Sequence, residues 1–473
     1  MKKVSIDSIF EAKPAAMPGA HAPAGFISTE YDESIVAAEI RNLENLESLN
    51  KTSLESYKFL KLKETLANAG KFVPYWRNLF KELSFDPLAI TCINDLAHLP
   101  FLEKEMIKEN FEQFISEKVD FEKITYMTTG GSTGSPLKIL MNKEVRSKSH
   151  AATRYYLKKA GITPGEERGI RLHGNKIPDE ITKEGKYWIT EGNRLTMSVA
   201  DINPQTCLDY MEAIKDFKPT YIHAYASALS LLCDYAKHQD IKFPSSIKSI
   251  FCDSETLYKW QKDLILSLTN AKIYNIYGHT EAAGMAITFP ESSDLESIPI
   301  GIMEILDKDG NPIQEAGQEG EIVVTGFNND IMPFIRYKTY DIAELSENNR
   351  NNNRAFSPVL STVSGRIQDY LVGNDSSLVP AAPLLFDYNF DWTGIDLFQV
   401  FQEEKGKLIF KIVTNNSINP DKDLLKKRII KSFSQIFGDK FTVRVNICKT
   451  IPVTNRGKYR YVDQKLRVDL QAL

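Results

Sequence analysis

Short β-prone runs alternate with helix-like segments through the middle of this chain of 473 residues. The β-prone runs are 221-YIHAY, 248-KSIFCD, 273-IYNIY and 321-EIVVTGF, and the segments between them include 227-SALSLLCDYAKH and 255-ETLYKWQKDLILSL. Alternation of this kind predicts an α/β core with parallel strands. Side chains at strand-to-helix turns then lie together at the carboxyl edge of the sheet.

The N-terminal part differs in composition from this core. Residues 13–25 are mostly proline, alanine and glycine with almost no charge, which indicates an irregular arm. Thr52 and Glu55 form a capping box, apolar residues then recur at helical spacing, and Pro74 stops the pattern. We therefore expect residues 1–49 to form an N-terminal arm and a helix to begin at Thr52.

The C-terminal part indicates a second, smaller unit of α+β type. An Asn/Arg tract at 347–356 cannot be buried and predicts an exposed loop, with a domain boundary shortly after it. Beyond it, LFQVF and KLIFKIV flank EEKGK as a hairpin, Asn419 and Pro420 open a helix that Gly438 ends, and FTVRVNIC follows as a strand. We expect a large domain at 50–364 and a small lobe at 365–473.

The net charge of the chain and its distribution bear on the kind of ligand it binds. The formal net charge of −4 is too near neutral for a general nucleic-acid or membrane-surface binder. From Asp421 to the end, 13 basic and 5 acidic residues give +8, which leaves −12 for the remainder. A basic lobe beside an acidic body suits a phosphorylated ligand, although charge alone favours a solvated helix face.

The sequence also bears on the cellular compartment. Five cysteines without a CxxC pair indicate neither a disulfide framework nor a cysteine zinc site, and the scattered histidines form no recognised metal motif. The N-terminus lacks an uninterrupted apolar stretch, and no run approaches the 18 apolar residues of a membrane helix. We expect a soluble cytoplasmic protein, with the oligomeric state open, a homodimer included.

The strongest local motif is 126-YMTTGGSTGSPLKI, where a β-like approach meets glycines interleaved with hydroxyl residues. Glycines let backbone N–H groups crowd around a phosphate, and Thr and Ser hydroxyls add donors without bulk. The NTPase P-loop requires a lysine directly after its last glycine, where this chain has Ser135. The motif therefore indicates a phosphate loop of another kind or a plain turn.

Four later motifs accompany this loop in a fixed order: 277-YGHTE, 336-RYKTYD, 365-GRIQD and 451-IPVTNRGKYR. The ordered set resembles the adenylate-forming superfamily, which includes acyl-CoA synthetases, luciferases and adenylation domains of peptide synthetases. The segments 71-KFVPYWRNLF and 95-DLAHLPFLEKEMIKENF are most similar to the phenylacetate-CoA ligase branch and its capsule-biosynthesis relatives. The resemblance covers about residues 50 to 470, and it implies the phosphate-binding residues Thr128, Thr129, Gly130, Gly131, Ser132, Thr133 and Gly134.

The resemblance implies a role for each later motif. Glu281 is a hard oxygen ligand for Mg²⁺, and Thr280 offers a hydroxyl to the α-phosphate of ATP. Asp341 would bind the ribose hydroxyls. The adenine elements would be Ser254, Glu255, Tyr277 and Gly278, with the Tyr277 ring stacked on the base.

The C-terminal motifs imply movement and catalysis. Arg366 would reach ribose or phosphate, Gln368 occupies the hinge of the small lobe, and Lys458 would place an ammonium between the carboxylate and the α-phosphate. Similar proteins usually have glycine where this chain has Tyr340, and Asp or Lys where it has Gln368.

The acid pocket is expected beside Tyr225, Ala226, Ser227 and His279. Its lining of Tyr, Ala, Ser, His and Phe favours an uncharged aromatic or short apolar acid, since Asp253 and Glu255 lie in the segment assigned to adenine.

Together these residues imply an enzyme that uses ATP and Mg²⁺ to form an acyl-adenylate and transfers the acyl group to CoA. An amine or a carrier-protein thiol is the alternative acceptor, as in polysaccharide or natural-product pathways. A non-catalytic adenylate-binding protein is the second alternative, motivated by Tyr340 and Gln368.

Overall fold

The structure is a computed structural model. It describes residues 31–128, 137–163, 165–173, 177–199, 201–202, 205–254, 257, 259–289, 292–307, 309–351, 358–364, 370–380, 393–414, 420–451 and 462–466.

The helices of the described residues are as follows. They are α1 (Glu33–Glu47), α2 (Lys51–Phe72), α3 (Pro74–Glu82), α4 (Lys104–Glu109), α5 (Lys143–Lys159), α6 (Asp179–Lys183), α7 (Cys207–Phe217), α8 (Ala226–His238), α9 (Lys259–Leu268), α10 (Asn348–Asn351) and α11 (Lys422–Phe437). Short 3₁₀ turns occur at Ile93–His98, Phe111–Phe114, Phe121–Lys123 and Gly438–Lys440.

The strands follow in chain order. They are β1 (Thr125–Thr128), β2 (Lys138–Met141), β3 (Gly169–Leu172), β4 (Trp188–Glu191), β5 (Arg194–Met197), β6 (Tyr221–Ala224), β7 (Ser249–Cys252), β8 (Lys272–Gly278), β9 (Met285–Thr288), β10 (Leu295–Ser297), β11 (Gly301–Leu306), β12 (Glu319–Gly326), β13 (Tyr337–Leu345), β14 (Val359–Ser364), β15 (Tyr370–Val372), β16 (Leu378–Pro380), β17 (Ile395–Glu404), β18 (Lys407–Thr414), β19 (Thr442–Ile447) and β20 (Val462–Gln464).

A twelve-stranded sheet organises the large part of the molecule, in the order β11-β12-β13-β14-β10-β9-β8-β7-β6-β3-β5-β4. Strands β8, β7, β6, β3 and β5 are parallel neighbours, whereas β9 pairs antiparallel with β8 and β4 antiparallel with β5. The predicted α/β core with parallel strands is confirmed for the runs at 221, 248 and 273. For the run at 321 the prediction is wrong, because that run lies in β12, which pairs antiparallel with β11 and β13. The change from parallel to antiparallel pairing falls at β8, the strand that ends in the motif 277-YGHTE.

Side-chain alternation gives the parallel strands two different faces. Ile222 and Ala224 pack into a buried cluster with residues of α7, α8 and α9, while Tyr221 and Phe251 pack with Tyr155 of α5 on the other face. Both faces are covered, as parallel sheets require. The carboxyl edge of the strands is therefore where polar side chains can meet a ligand.

The described part of the N-terminal segment is a helix that packs on α5. Arg154 bonds Glu33 at 2.5 Å, and Lys159 bonds Glu47 at 2.8 Å. Helix α2 begins at Lys51, because the side chain of Asn50 caps it by accepting from the backbone N–H of Ser53. The expected capping box at Thr52 is therefore wrong in position by two residues.

The C-terminal unit is a four-stranded sheet in the order β19-β18-β17-β20, covered by α11. The expected hairpin is formed by β17 and β18. The expected helix is α11, which begins at Lys422, two residues after Pro420, because the side chain of Asp421 caps it. Leu425, Ile429 and Phe433 of α11 are buried against the sheet. The predicted α+β character of this unit is thereby confirmed, while the domain boundaries stay a prediction.

The Asn/Arg tract is partly described. Its first residues form α10, where Asn348 bonds Asp294 at 2.8 Å and Asn349 accepts from the backbone of Val359. Residues 352–357 lie outside the described residues. Among the helices that the structure describes, none combines the length and apolar character needed to cross a bilayer.

Candidate active site

The turn after β8 holds a buried carboxylate. Glu281 is 6% exposed, and its two oxygens have different partners. The Tyr337 hydroxyl donates to Oε1 at 2.7 Å, and Nδ1 of His279 lies 3.2 Å from Oε2. Burial raises the pKa of this carboxyl, but the contacts with His279 and Tyr337 outweigh it and lower the pKa to about 2. Glu281 is therefore ionised at neutral pH.

A bulge in β13 presents the second carboxylate. The register between β12 and β13 shifts between Glu321 and Val323, so Thr339, Tyr340 and Asp341 lie against the single residue Ile322. The Thr339 hydroxyl fixes the bulge by donating to the carbonyl of Ile322 at 2.8 Å. Bulges next to active sites re-aim side chains, and here the side chain that follows the bulge is Asp341.

Two hydrogen bonds join the motif 277-YGHTE to the motif 336-RYKTYD. The Tyr277 hydroxyl donates to Oδ2 of Asp341 at 2.9 Å, and Tyr337 donates to Glu281. About 60 residues of chain separate the partners in each pair, so only the fold brings them together. The side chains that the sequence assigned to adenine, ribose and Mg²⁺ are thus adjacent in the structure.

Arg336 has a structural role at the edge of this site. Its guanidinium bonds Glu304 at 3.2 Å, donates to the carbonyl of Leu99 at 2.7 Å and lies over the Phe101 ring at 4.4 Å. Both charged side chains are largely buried. This contact fastens the segment before α4 to the β11–β13 part of the sheet, and it holds the start of β13 in place.

Left-handed backbone is concentrated around the site. Among the described residues, eight non-glycine residues have positive φ, and four of them are Ser254, Ala282, Arg336 and Tyr340. Such conformations cost energy and persist where the surrounding structure enforces them, often at active sites. Tyr340, at φ 60, adopts the conformation that glycine would adopt without cost, and its side chain is 39% exposed beside Glu103.

The expected acid-pocket residues lie at the carboxyl edge beside β3 and β6. Tyr225 directly follows β6 and is buried, and Ala226 begins α8. The Tyr225 ring contacts the ring of His173, which directly follows β3, at 4.5 Å between centroids. Sequence reasoning missed His173, since no pattern around it suggests a site.

Two histidines hold Asp253, which directly follows β7. Nε2 of His173 lies 3.0 Å from Oδ1, Nε2 of His223 lies 2.7 Å from Oδ2, and the Ser254 hydroxyl donates to Oδ1 at 3.1 Å. Burial lowers the pKa of His173 to about 3, so that ring is neutral. Burial works against the charge of Asp253, but the contacts with His223 and His173 hold its pKa well below the usual value.

Several predicted site residues are not covered by the described part of the chain. Thr128 ends β1 and Ser227 lies in α8, but their side chains are not described. The remaining predicted residues outside the described ranges are Thr129, Gly130, Gly131, Ser132, Thr133, Gly134, Glu255, Arg366, Gln368 and Lys458. Gly278 ends β8, and Thr280 lies on the turn between this strand and Glu281.

Two known protein families match parts of this chain. The AMP-binding enzyme family matches residues 187–332, and the CapK C-terminal domain matches residues 386–465. Protein CapK of Staphylococcus aureus is 24% identical over 396 residues, which cover 83% of this chain and 85% of that protein. Phenylacetate-coenzyme A ligase of Pseudomonas putida is 24% identical over 72% of this chain and 76% of its own length.

A solved structure shares the fold. It is 2-hydroxyisobutyryl-CoA ligase in complex with 2-HIB-AMP and CoA in the thioesterification state, with a TM-score of 0.59 and 16% identity over 89% of this chain and 92% of that one. The fold, the AMP-binding domain and the ligase relatives define an AMP-forming ligase. The chain thus carries an AMP-binding enzyme domain and a CapK C-terminal domain, and its similarity to CapK and to phenylacetate-CoA ligases fits the adenylate-forming superfamily.

Proposed function

We propose that the protein activates a carboxylic acid with ATP, forms an acyl-adenylate with release of pyrophosphate, and transfers the acyl group to CoA. The observation that carries the proposal is the pair of hydrogen bonds that joins Tyr277 to Asp341 and Tyr337 to Glu281. An ATP-dependent ligase needs its base, ribose and phosphate contacts fixed relative to one another before the reactants meet.

Mg²⁺ fits the Glu281 carboxylate. The group is buried, ionised and held by two side chains, so it supplies a fixed hard oxygen ligand of the kind that Mg²⁺ prefers. The ion would be held by Glu281 together with phosphate oxygens, and it would neutralise phosphate charge. Thr280, on the same turn, would donate its hydroxyl to the α-phosphate.

The nucleoside would lie along the carboxyl edge of the sheet. Tyr277 would stack on adenine while its hydroxyl stays near Asp341, which would bind the ribose hydroxyls. Ser254, Glu255 and Gly278 would line the base, and the loop from Thr128 to Gly134 would contact the phosphates with its backbone N–H groups. Arg366 would add a charged contact to ribose or phosphate.

Lys458 would act in the chemical step. The substrate carboxylate and the α-phosphate repel as they approach, and an ammonium between them stabilises the charge that develops in the transition state. Gln368 would serve as the hinge that brings the small lobe, with Lys458, to the large domain. The assignment rests on the ordered motifs, since both residues lie outside the described part of the chain.

The acid substrate would be uncharged apart from its carboxylate, either aromatic or short and apolar. Tyr225, Ala226, Ser227 and His279 would line its pocket. Asp253 bonds His173, whose ring contacts Tyr225, and His173, His223 and Ser254 all bond its carboxylate. Because its charge is so well solvated by the protein, it does not require a substrate ammonium as partner.

The acceptor has a second candidate. The match to protein CapK extends over most of both chains and includes the CapK C-terminal domain. An amine or a carrier-protein thiol in place of CoA is the alternative acceptor, and similarity to a D-alanine–D-alanyl carrier protein ligase supports the carrier-protein thiol.

Two measurements test the proposal. Exchange of labelled pyrophosphate into ATP, driven by a panel of carboxylic acids, reports adenylate formation and identifies the acid. We expect aryl and simple organic acids to exceed free α-amino acids in kcat/KM, and the reverse order would contradict the assigned pocket. Mass spectrometry of products formed with CoA, amines or a carrier protein then identifies the acceptor.

A further inference from the structure

Three side chains of types that can bind metals, those of His173, His223 and Asp253, meet on one face of the parallel strands. Arg171 of β3 lies beside His223 of β6, which in turn lies beside Phe251 of β7. His173 lies two residues beyond Arg171, and Asp253 lies two residues beyond Phe251. Because side chains alternate between the two faces of a sheet, both lie on the same face as His223. The three strands are parallel neighbours, and the cluster therefore lies at their carboxyl edge.

The distances within this cluster are close to those of a metal site. The ligand atoms of His173, His223 and Asp253 all lie within 4.8 Å of one another, with the two nitrogen–oxygen distances at 3.0 and 2.7 Å. Around a tetrahedral zinc ion, with bonds of about 2.0 to 2.2 Å, neighbouring ligand atoms lie about 3.3 Å apart. An ion therefore fits between these side chains after movements of under about 1 Å.

We propose that His173, His223 and Asp253 bind one zinc ion, with a fourth coordination position open toward the carboxyl edge. Two imidazole nitrogens and one carboxylate oxygen are ligands that zinc accepts, and three protein ligands with an open position are typical of zinc sites that act on a substrate. The histidine side chains are 5% and 4% exposed, whereas that of Asp253 is 24% exposed, so the open position lies on the Asp253 side.

The charge of the site defines what would occupy the open position. Two neutral imidazoles, one carboxylate and a divalent ion leave a net charge of +1, which suits a water, a hydroxide or a carboxylate oxygen. Tyr225 contacts His173, and Ser254 bonds Asp253, so the ion would lie between the proposed acid pocket and the proposed adenine contacts. A role for the ion in positioning the acid substrate rests on the proposed function, whereas the binding of zinc does not.

Equilibrium dialysis of the full-length protein tests the site without ATP or acid. The chelator-treated protein is dialysed against Zn²⁺, and bound zinc is counted by mass spectrometry. We expect one zinc per chain in the wild type and at least a tenfold loss of affinity in Asp253→Asn and His223→Gln. His238→Gln is the matched control, because His238 also lies beside a carboxylate, 3.7 Å from Asp234, but on the exposed end of α8.

Further variants separate this site from the proposed Mg²⁺ site. Glu281→Gln should keep its zinc, and Zn²⁺ should raise the melting temperature of the wild type but not that of Asp253→Asn. Absence of zinc from the wild type, equal binding by Asp253→Asn, or loss of zinc in Glu281→Gln overturns the inference. If a histidine variant fails to fold, the inference is tested by the zinc stoichiometry of the wild type and by the zinc affinity of the near-isosteric variant Asp253→Asn.

The two proposals can fail separately. Zinc bound by a protein that shows no pyrophosphate exchange with any acid contradicts the proposed function alone. Exchange by a protein that binds no zinc contradicts this inference alone.

Discussion

Replacing Tyr337 with phenylalanine removes one of the two side-chain contacts that keep Glu281 ionised, the other being that with His279. The hydroxyl donates to a buried carboxylate at 2.7 Å, and both side chains are almost fully buried. A hydrogen bond to a charged group contributes about 1.5 to 3 kcal/mol, so Tyr337→Phe should lower the free energy of unfolding by that amount at pH 7. The same energy corresponds to a rise of about 1 to 2 units in the pKa of Glu281.

The pH dependence of this loss follows from the pKa of Glu281. The folded pKa of about 2 lies below the ordinary value of 4.5, so the carboxylate stabilises the fold above pH 4.5 and loses that effect as the pH falls toward 2. The shift corresponds to about 3 kcal/mol in the wild type. In the variant the folded pKa lies nearer 4.5, and the difference between the two proteins should shrink to about 1 kcal/mol near pH 3.

Urea unfolding at pH 7 and at pH 3 measures both effects. Tyr340→Phe is the matched control on the same strand, because Tyr340 is 39% exposed and its loss of a hydroxyl should change the free energy of unfolding by about 0.5 kcal/mol or less. A Tyr337→Phe variant that loses less than about 0.5 kcal/mol at pH 7, or that loses the same amount at both pH values, would refute this account of Glu281.

Three further predictions concern single residues. Lys458→Ala should lower pyrophosphate exchange about a hundredfold or more while ATP binding persists, and exchange at the wild-type rate would exclude the proposed role. Glu281→Gln should raise the Mg²⁺ concentration needed for half-maximal exchange by removing a charged oxygen ligand, and an unchanged Mg²⁺ titration argues against that ligand. Arg336→Met should destabilise the fold by about 3 to 5 kcal/mol, because it leaves Glu304 buried without its partner, and an unchanged urea midpoint would show the pair to be dispensable.

The regular elements of the fold could be predicted because their patterns are local. The β-prone runs at 221, 248, 273 and 321 each overlap a strand, and the helix-like segments between them overlap α8 and α9. The cap of α2 differs from the expected one because Asn50, rather than Thr52, has the extended backbone and the hydrogen bond of a cap.

The candidate site could be predicted only where its residues lie in recognisable motifs. Glu281 and Asp341 were identified in this way, but their partners depend on tertiary structure. Tyr337 approaches Glu281 from a strand 56 residues away. His173 and His223 follow no local spacing rule for metal ligands, since they reach Asp253, which follows β7, from two other strands, β3 and β6.

Acid-dependent pyrophosphate exchange, compared between the wild type and Glu281→Ala, tests the central claim most directly. The account predicts exchange in the wild type that requires both Mg²⁺ and a carboxylic acid, and a loss of about a hundredfold or more in a folded Glu281→Ala variant. Exchange that persists in the variant would contradict the claim that the joined motifs form an adenylate-forming site, and so would a wild-type protein that binds ATP but shows no exchange with any acid.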